Sequence, residues 1–202
     1  RQKNYKTLFF IEGNSHTAQF LPIFDKLESI DNIYYKNSGD YKISTNDVNK
    51  INEKFNEIIY ITNIDNIENL NEIIFSYSKV HKNIKIILFN STPNSTEESQ
   101  PLKCLIQQID CDIDKILDTK KRSLKKLFKK IEKFRLENKN VHIFDSYNAL
   151  CQKNKCTVYN KDKDLLFYRD RSHLTVKGSE TLVPNFDQFI NKLKNDNSIF
   201  NY

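Results

Sequence analysis

Residues 7–16, Thr7-Leu8-Phe9-Phe10-Ile11-Glu12-Gly13-Asn14-Ser15-His16, join an apolar run of strand length to a glycine and then to a polar turn that opens a helical pattern. Four consecutive apolar residues read as a strand buried on both faces, not as one with a wet side. Similar runs recur at Asn32–Lys36, Glu57–Thr62, Lys85–Phe89 and Asn140–Phe144, and more weakly at Leu165–Tyr168. Helical patterns over residues 16–29, 46–56, 66–82, 114–138, 146–151 and 177–194 lie between them.

Strands that alternate with helices imply right-handed crossovers and a sheet covered on both sides. The predicted fold class is therefore α/β, a three-layer α/β/α sandwich with a mostly parallel, flavodoxin-like sheet of about five strands. In such sheets ligands bind beyond the carboxyl ends of the strands, where strand order reverses. Loops that follow strands are the place to look for chemistry. The polar stretch Asn90–Ser99 is one such loop, expected to run over the surface. Asn90 and Asn94 formally head glycosylation sequons, which matter only in a eukaryotic secretory setting.

A chain of 202 residues suits one domain, and residues 1–202 are read as a single unit. Its 38% hydrophobic content is low, yet Ile, Phe and Tyr are plentiful, which argues against disorder. No apolar run approaches the ~20 residues needed to span a bilayer. The chain starts at Arg1 and has no Met, so the expectation is a piece excised from a longer, membrane-anchored protein.

The formal charge of +6 would suit phosphates, anionic glycans or an acidic membrane surface. Much of it lies in Lys120–Lys133, where Leu124, Leu127, Phe128, Ile131 and Phe134 form an apolar stripe opposite the lysines. The plainer reading is a helix lying on the sheet with a solvated basic face. A non-catalytic basic binding module is the alternative, but no nucleic-acid motif accompanies the lysines and no nucleic-acid partner is expected.

Cys151 and Cys156 bracket a short polar loop that can fold back to bridging distance, so they are the disulfide candidate. Cys104 and Cys111 would be roughly 10 Å apart on an unbroken helix and can bond only if the helix breaks between them. Reduced structural thiols are the alternative for all four. A disulfide would place the domain outside the cytosol. No Cys or His spacing supports a zinc site, and no metal or cofactor is expected.

Only three glycines occur, and two stand beside the candidate chemistry: Gly13, and Gly178 after Asp170-Arg171-Ser172-His173-Leu174-Thr175. A residue that costs backbone entropy is expected where a side chain would block a turn or a close approach. Ser15 would stand at a strand-to-helix turn, either as a nucleophile or simply as a helix cap. An Asp three residues before a His can bind its Nδ1, which fixes the tautomer and aims Nε2 outward. His16 has no assigned role, and His81 and His142 are read as structural.

Gly13-x-Ser15 after the first strand and Asp170-x-x-His173 near the end resemble the Ser-Gly-Asn-His (SGNH, GDSL-like) hydrolases. The Gly-x-Ser-His form, with the Cys-x4-Cys loop before Leu166-Phe167-Tyr168-x-Asp170-x-x-His173-Leu174-Thr175-x-x-Gly178, resembles more narrowly the SGNH domains fused to membrane acyltransferase family 3 proteins. Those fusions O-acetylate cell-envelope glycans. Asn14 stands where the family usually has Asp. The resemblance places the oxyanion hole at the Ser15 N–H, at Gly39, the only glycine between the second and third strands, and at Asn63 in Thr62-Asn63-Ile64-Asp65, which lacks the family's glycine; plain turn residues are the alternative reading of Gly39 and Asn63.

The resemblance implies acyl transfer, with Ser15 as nucleophile, His173 as base and Asp170 as its orienter. The expected partners are an acyl donor, a glycan acceptor and a membrane-embedded acyltransferase domain in the full-length protein. The domain itself is expected to be monomeric and extracytoplasmic. An O-acetyl esterase acting on carbohydrate or lipid with the same three residues is the alternative, since the triad does not choose between water and sugar.

Overall fold

A computed structural model of the chain describes residues 7–28, 30, 32–37, 51, 53–63, 84–90, 92–94, 100–113, 129, 132–133, 135–152 and 155–196. Two compact units emerge, each assembled from several stretches of chain. One comprises residues 1–18, 28–91 and 126–143, the other 19–27, 92–125 and 144–202.

The first unit is built on a five-stranded sheet. Its strands are β1 (Thr7–Gly13), β2 (Ile33–Asn37), β3 (Glu57–Asn63), β4 (Ile84–Phe89) and β6 (Val141–Phe144), in the order β2-β1-β3-β4-β6. The pairs β1–β2, β1–β3 and β3–β4 are parallel. This is the expected mostly parallel sheet of an α/β sandwich, with strand order reversing between β1 and β3.

Burial explains why β1, β3 and β4 are strands without polar alternation. Leu8, Phe10, Ile58, Tyr60, Ile84, Ile86, Leu88 and Val141 form a buried cluster on one face. Phe9, Ile11, Ile59, Ile61, Ile87 and Phe89 alternate with them and are buried as well. Each such side chain contributes about 1.5–3 kcal/mol when fully removed from water, so both faces favour extended chain. Phe10 stacks on its register partners Tyr34 and Tyr60, with ring centroids 5.2 and 5.8 Å away.

The second unit contains elements that the sequence did not announce. β5 (Cys111–Asp112), β7 (Cys151–Gln152) and β9 (Leu165–Leu166) each pair antiparallel with β8 (Lys155–Asn160). The weak run predicted at Leu165–Tyr168 is thus a two-residue strand of this small sheet, and no part of the parallel one. A further helix, Pro101–Gln107, starts with proline at its first position and ends at Gln108 in a left-handed conformation (φ 52°, ψ 45°). That end breaks the run between Cys104 and Cys111, which are bonded with Cα atoms 6.0 Å apart. Cys151 and Cys156 are bonded too, as cross-strand partners of β7 and β8.

Two expected helices are interrupted. The 16–29 pattern forms two single turns, α1 (Ser15–Ala18) and α2 (Leu21–Phe24), with Pro22 opening the second. The 177–194 pattern forms α5 (Val176–Glu180) and α6 (Val183–Asp196). In chain order the helix at 101–107 is α3, and α4 (Ser146–Leu150) lies between, capped by the Asp145 carboxylate, which accepts the Asn148 N–H at 3.0 Å. Phe186 of α6 packs edge-on against Phe24 and Phe144 in this unit's core.

The loop after β4 is less superficial than expected: Asn90, Thr92 and Pro93 are buried. Residues 66–82, most of 46–56, Gly39, His81 and most of the lysine-rich stretch 120–133 lie outside the described residues. Lys129 and Lys133 are helical and exposed. Among the described residues no helix is long and apolar enough to cross a membrane.

Candidate active site

Ser15 is the first residue of α1 and is exposed, one residue beyond the turn that ends β1. Asn14, not Ser15, caps the helix. Its Oδ1 accepts the His16 N–H at 3.0 Å, and its carbonyl accepts the N–H groups of Thr17 and Ala18, both at 2.9 Å. Amide oxygen in place of carboxylate therefore preserves the local bond while removing the charge. Gly13 is required by closeness: a Cβ there would stand 1.9 Å from Thr17 Oγ1 and 2.5 Å from Thr17 Cβ. The Tyr35 hydroxyl donates to the Gly13 carbonyl at 3.2 Å, and burial raises its pKa.

These features sit where strand order reverses, at the carboxyl ends of β1 and β3. Asn63 ends β3 and is only 2% exposed. Just before the turn, the Glu12 carboxylate receives the Tyr60 hydroxyl at 2.9 Å and the Lys36 ammonium at 3.3 Å. A carboxylate beneath the turn is thus tied to both neighbouring strands.

In the second unit, residues 169–173 fold into a turn around one carboxylate. Asp170 Oδ1 accepts the N–H groups of Ser172 and His173, each at 2.9 Å. His173 Nδ1 lies 3.0 and 2.9 Å from Asp170 Oδ1 and Oδ2. Burial pushes the Asp170 pKa up, but the backbone N–H groups of Ser172 and His173 and then the imidazole outweigh it, so the carboxyl is held down to about 2. Asp170 is therefore ionised at neutral pH and can only accept. Nδ1 must donate, which makes Nε2 the basic nitrogen of the neutral ring. The imidazole side chain is 17% exposed and the carboxylate 47%.

The turn is held from several sides. Thr92 Oγ1 donates to the Ser172 carbonyl at 2.8 Å, and the Arg169 N–H donates to the His173 carbonyl at 3.0 Å. Thr175 then caps α5, its Oγ1 accepting the Gly178 N–H at 2.9 Å. A Cβ on Gly178 would lie 2.1 Å from the Phe167 carbonyl oxygen. Thr92 was missed in the sequence because its role depends on a contact 80 residues away. Among the described residues no group of His, Cys, Asp and Glu could hold a metal ion.

A family model for the SGNH domain, described as fused to AT3 domains, matches residues 32–188. The chain belongs to this SGNH family. The matched span includes Asp170 and His173 and begins after Ser15. Solved structures of similar fold include the periplasmic domain of a lipopolysaccharide acetyltransferase from Salmonella ser. Paratyphi A, 15% identical, with a TM-score of 0.62 over 94% of this chain and 85% of that one. A Streptococcus pneumonia chain provisionally described as a platelet activating factor is 13% identical, with a TM-score of 0.51 over 93% and 85%. No curated protein matches the sequence at a significant level. For this SGNH domain, the chemistry on offer is an exposed hydroxyl at a strand-end turn and a carboxylate-oriented imidazole.

Proposed function

We propose that this SGNH domain transfers an acyl group, most simply acetyl, onto a cell-envelope carbohydrate through an acyl-enzyme on Ser15. Both compact units act as one catalytic domain in this reading. Ser15 Oγ attacks the carbonyl of the acyl donor while His173 Nε2 takes its proton. His173 returns that proton to the leaving group, then deprotonates the acceptor hydroxyl that attacks the acyl-enzyme, and gives this second proton to Ser15 Oγ as the acyl–Oγ bond breaks. Asp170 orients the ring and offsets the charge it gains. The Ser15 N–H, with Gly39 N–H and the Asn63 side chain, stabilises the oxyanion, at ~3 kcal/mol per donor.

The observation that carries this reading is the geometry around His173: both carboxylate oxygens of Asp170 within 3.0 Å of Nδ1, which leaves Nε2 as the base. Ser15 at a β1 strand end beside the reversal of strand order supports it. The fusion in the family's description supports a membrane-embedded acyltransferase domain as the source of the acyl group. Two disulfides support an extracytoplasmic location. The lipopolysaccharide acetyltransferase among the structural neighbours supports a glycan acceptor.

The test is turnover of p-nitrophenyl acetate together with labelling by a serine-directed phosphonate. Ser15 is expected to carry the label, and Ser15→Ala to abolish both signals. An unchanged rate in Ser15→Ala would overturn the reading. Exposure of Ser15 also favours a second outcome, in which water takes the acyl group and the domain is an O-acetyl esterase. Products formed from an acetyl donor with and without a glycan acceptor separate the two.

A further inference from the structure

Gln19 is the first residue after α1, four positions beyond Ser15, and its backbone and side chain are held at two separate points. Its side-chain Oε1 accepts the N–H of Leu174 at 2.8 Å. Its backbone carbonyl accepts the Ser179 hydroxyl. All three residues are buried: Gln19 is 9% exposed, Leu174 4% and Ser179 0%. A backbone N–H can bond only an acceptor, so the Leu174 contact fixes which way the amide points.

Leu174 directly follows His173, and Ser179 lies one turn further along, in α5. The bond at Leu174 and the Asp170 bonds at Ser172 and His173 therefore constrain three successive N–H groups of the turn that carries the imidazole. A glutamine has no catalytic use at this place, and burying its amide would cost free energy if it were not bonded. A leucine or methionine would fill the same volume at lower cost.

We infer that Gln19 is a positioning residue, which holds the His173 turn in place through the Leu174 N–H. The inference rests on the reading of Ser15 and His173 as nucleophile and base. Its mechanism is geometric. Loss of the acceptor releases the Leu174 N–H and lets the imidazole drift, and a displacement near 1 Å costs about 100-fold in rate.

The experiment compares Gln19→Met, which keeps bulk and removes the acceptor, with Gln19→Glu, which keeps an acceptor oxygen. Steady-state turnover of p-nitrophenyl acetate, melting temperature and hydrogen exchange of the Leu174 amide are measured for each. Gln19→Met is expected to lower kcat about 10- to 100-fold with KM within about twofold, and to speed exchange at Leu174. Gln19→Glu is expected to recover most of kcat and of the protection. Should Gln19→Met not fold, Ser179→Ala removes the other bond, with a smaller fall in kcat expected and KM again unmoved. Wild-type kcat in Gln19→Met or in Ser179→Ala would overturn the inference while leaving Ser15 chemistry intact. If Ser15→Ala kept full activity, the underlying reading would fail, and the inference with it.

Discussion

Ser15 sits on a turn held by an uncharged amide cap and a missing side chain, whereas His173 sits on a turn wound around a single carboxylate. The first turn extends a strand buried on both faces, and Gly13 lets Thr17 approach where any Cβ would collide. The second is closed by the antiparallel bridge between Tyr168 and Leu174. It is held by side-chain to backbone bonds from Asp170, Thr92 and Gln19. The lesson is that a hydroxyl can be placed by a rigid sheet and a neutral cap, while an imidazole that must keep one tautomer needs a charged partner.

The largest effects should come from breaking the chemistry without touching either support. Ser15→Ala and His173→Ala are each expected to lower kcat by about 10⁴-fold or more. Asp170→Asn keeps acceptor oxygen for the two N–H groups but loses the charge opposite Nδ1. A fall of about 10³-fold is expected, with a small drop in melting temperature because the ionised carboxylate also holds the turn. Equal activity in Asp170→Asn and wild type would show that the carboxylate serves the turn only.

Next come the two glycines, which test the supports themselves. In Gly178→Ala the new methyl meets the backbone carbonyl of Phe167 at 2.1 Å, which cannot rotate away, so a loss of about 3 kcal/mol is expected. In Gly13→Ala it meets the side chain of Thr17, and about 2 kcal/mol is expected because part of the contact can swing aside. Thermal denaturation of the two variants ranks them. The reverse order would show that the Ser15 turn is the stiffer of the two.

The same contrast explains what could be read from the sequence. The five sheet strands were legible to within about a residue at each end: burial on both faces leaves unbroken apolar runs in β1, β3 and β4, while β2, with Ile33 and Tyr34 exposed, was marked by its β-branched and aromatic residues. Asp170 with His173 was legible because an i,i+3 pair needs only a local turn. The small antiparallel sheet was not, since β8 alternates Cys156 and Val158 with polar residues over six positions and its partners span two residues each. The α3 helix offered Pro101 and apolar residues at 102, 105, 106 and 109, yet Leu102, Ile106 and Ile109 are exposed, and Pro101 and Cys104 are the buried ones. That periodicity would have pointed to the wrong face. Gln19 and Thr92 gave no signal, because a polar residue reveals a distant backbone partner only once the chain is folded.

All four cysteines belong to the unit that holds His173. Each bridge closes a short loop, for which chain entropy gives about 2 kcal/mol. Reduction is therefore expected to lower the melting temperature by several degrees and to raise hydrogen exchange in residues 144–196. Exchange in β1 and β3 should change little. Equal loosening of the sheet strands would mean that the two regions do not differ in what stabilises them.

The cap of α1 should give a smaller change. Asn14→Ala removes the bond to the His16 N–H, worth about 1 kcal/mol, while Asn14→Asp keeps an acceptor there. A melting temperature restored in Asn14→Asp but not in Asn14→Ala would assign the effect to the bond. Equal values in all three would leave the turn resting on Gly13 alone.

The smallest effect near neutral pH, and the sharpest separation of the two turns, comes from acid. Asp170 is held down to about 2 from an ordinary 3.8, so its folded form favours the ionised carboxylate. A lowered carboxyl pKa contributes stability that is complete above the ordinary value and disappears as pH falls through the lowered one. The contribution is thus whole above pH 4 and lost towards pH 2, which leaves catalysis in the neutral range untouched. No carboxylate occurs in Gly13-Asn14-Ser15-His16, and the Asn14 Oδ1 that accepts the His16 N–H carries no charge to lose. In an NMR titration the Asp170 carboxyl and the Ser172 and His173 amides should shift together, with a midpoint near 2. The His16 amide, bonded to an amide oxygen, should not follow that midpoint. A midpoint near 3.8 at Asp170 would mean that its bonds to the two N–H groups and the imidazole contribute nothing net, and the proposed difference between the two supports would vanish.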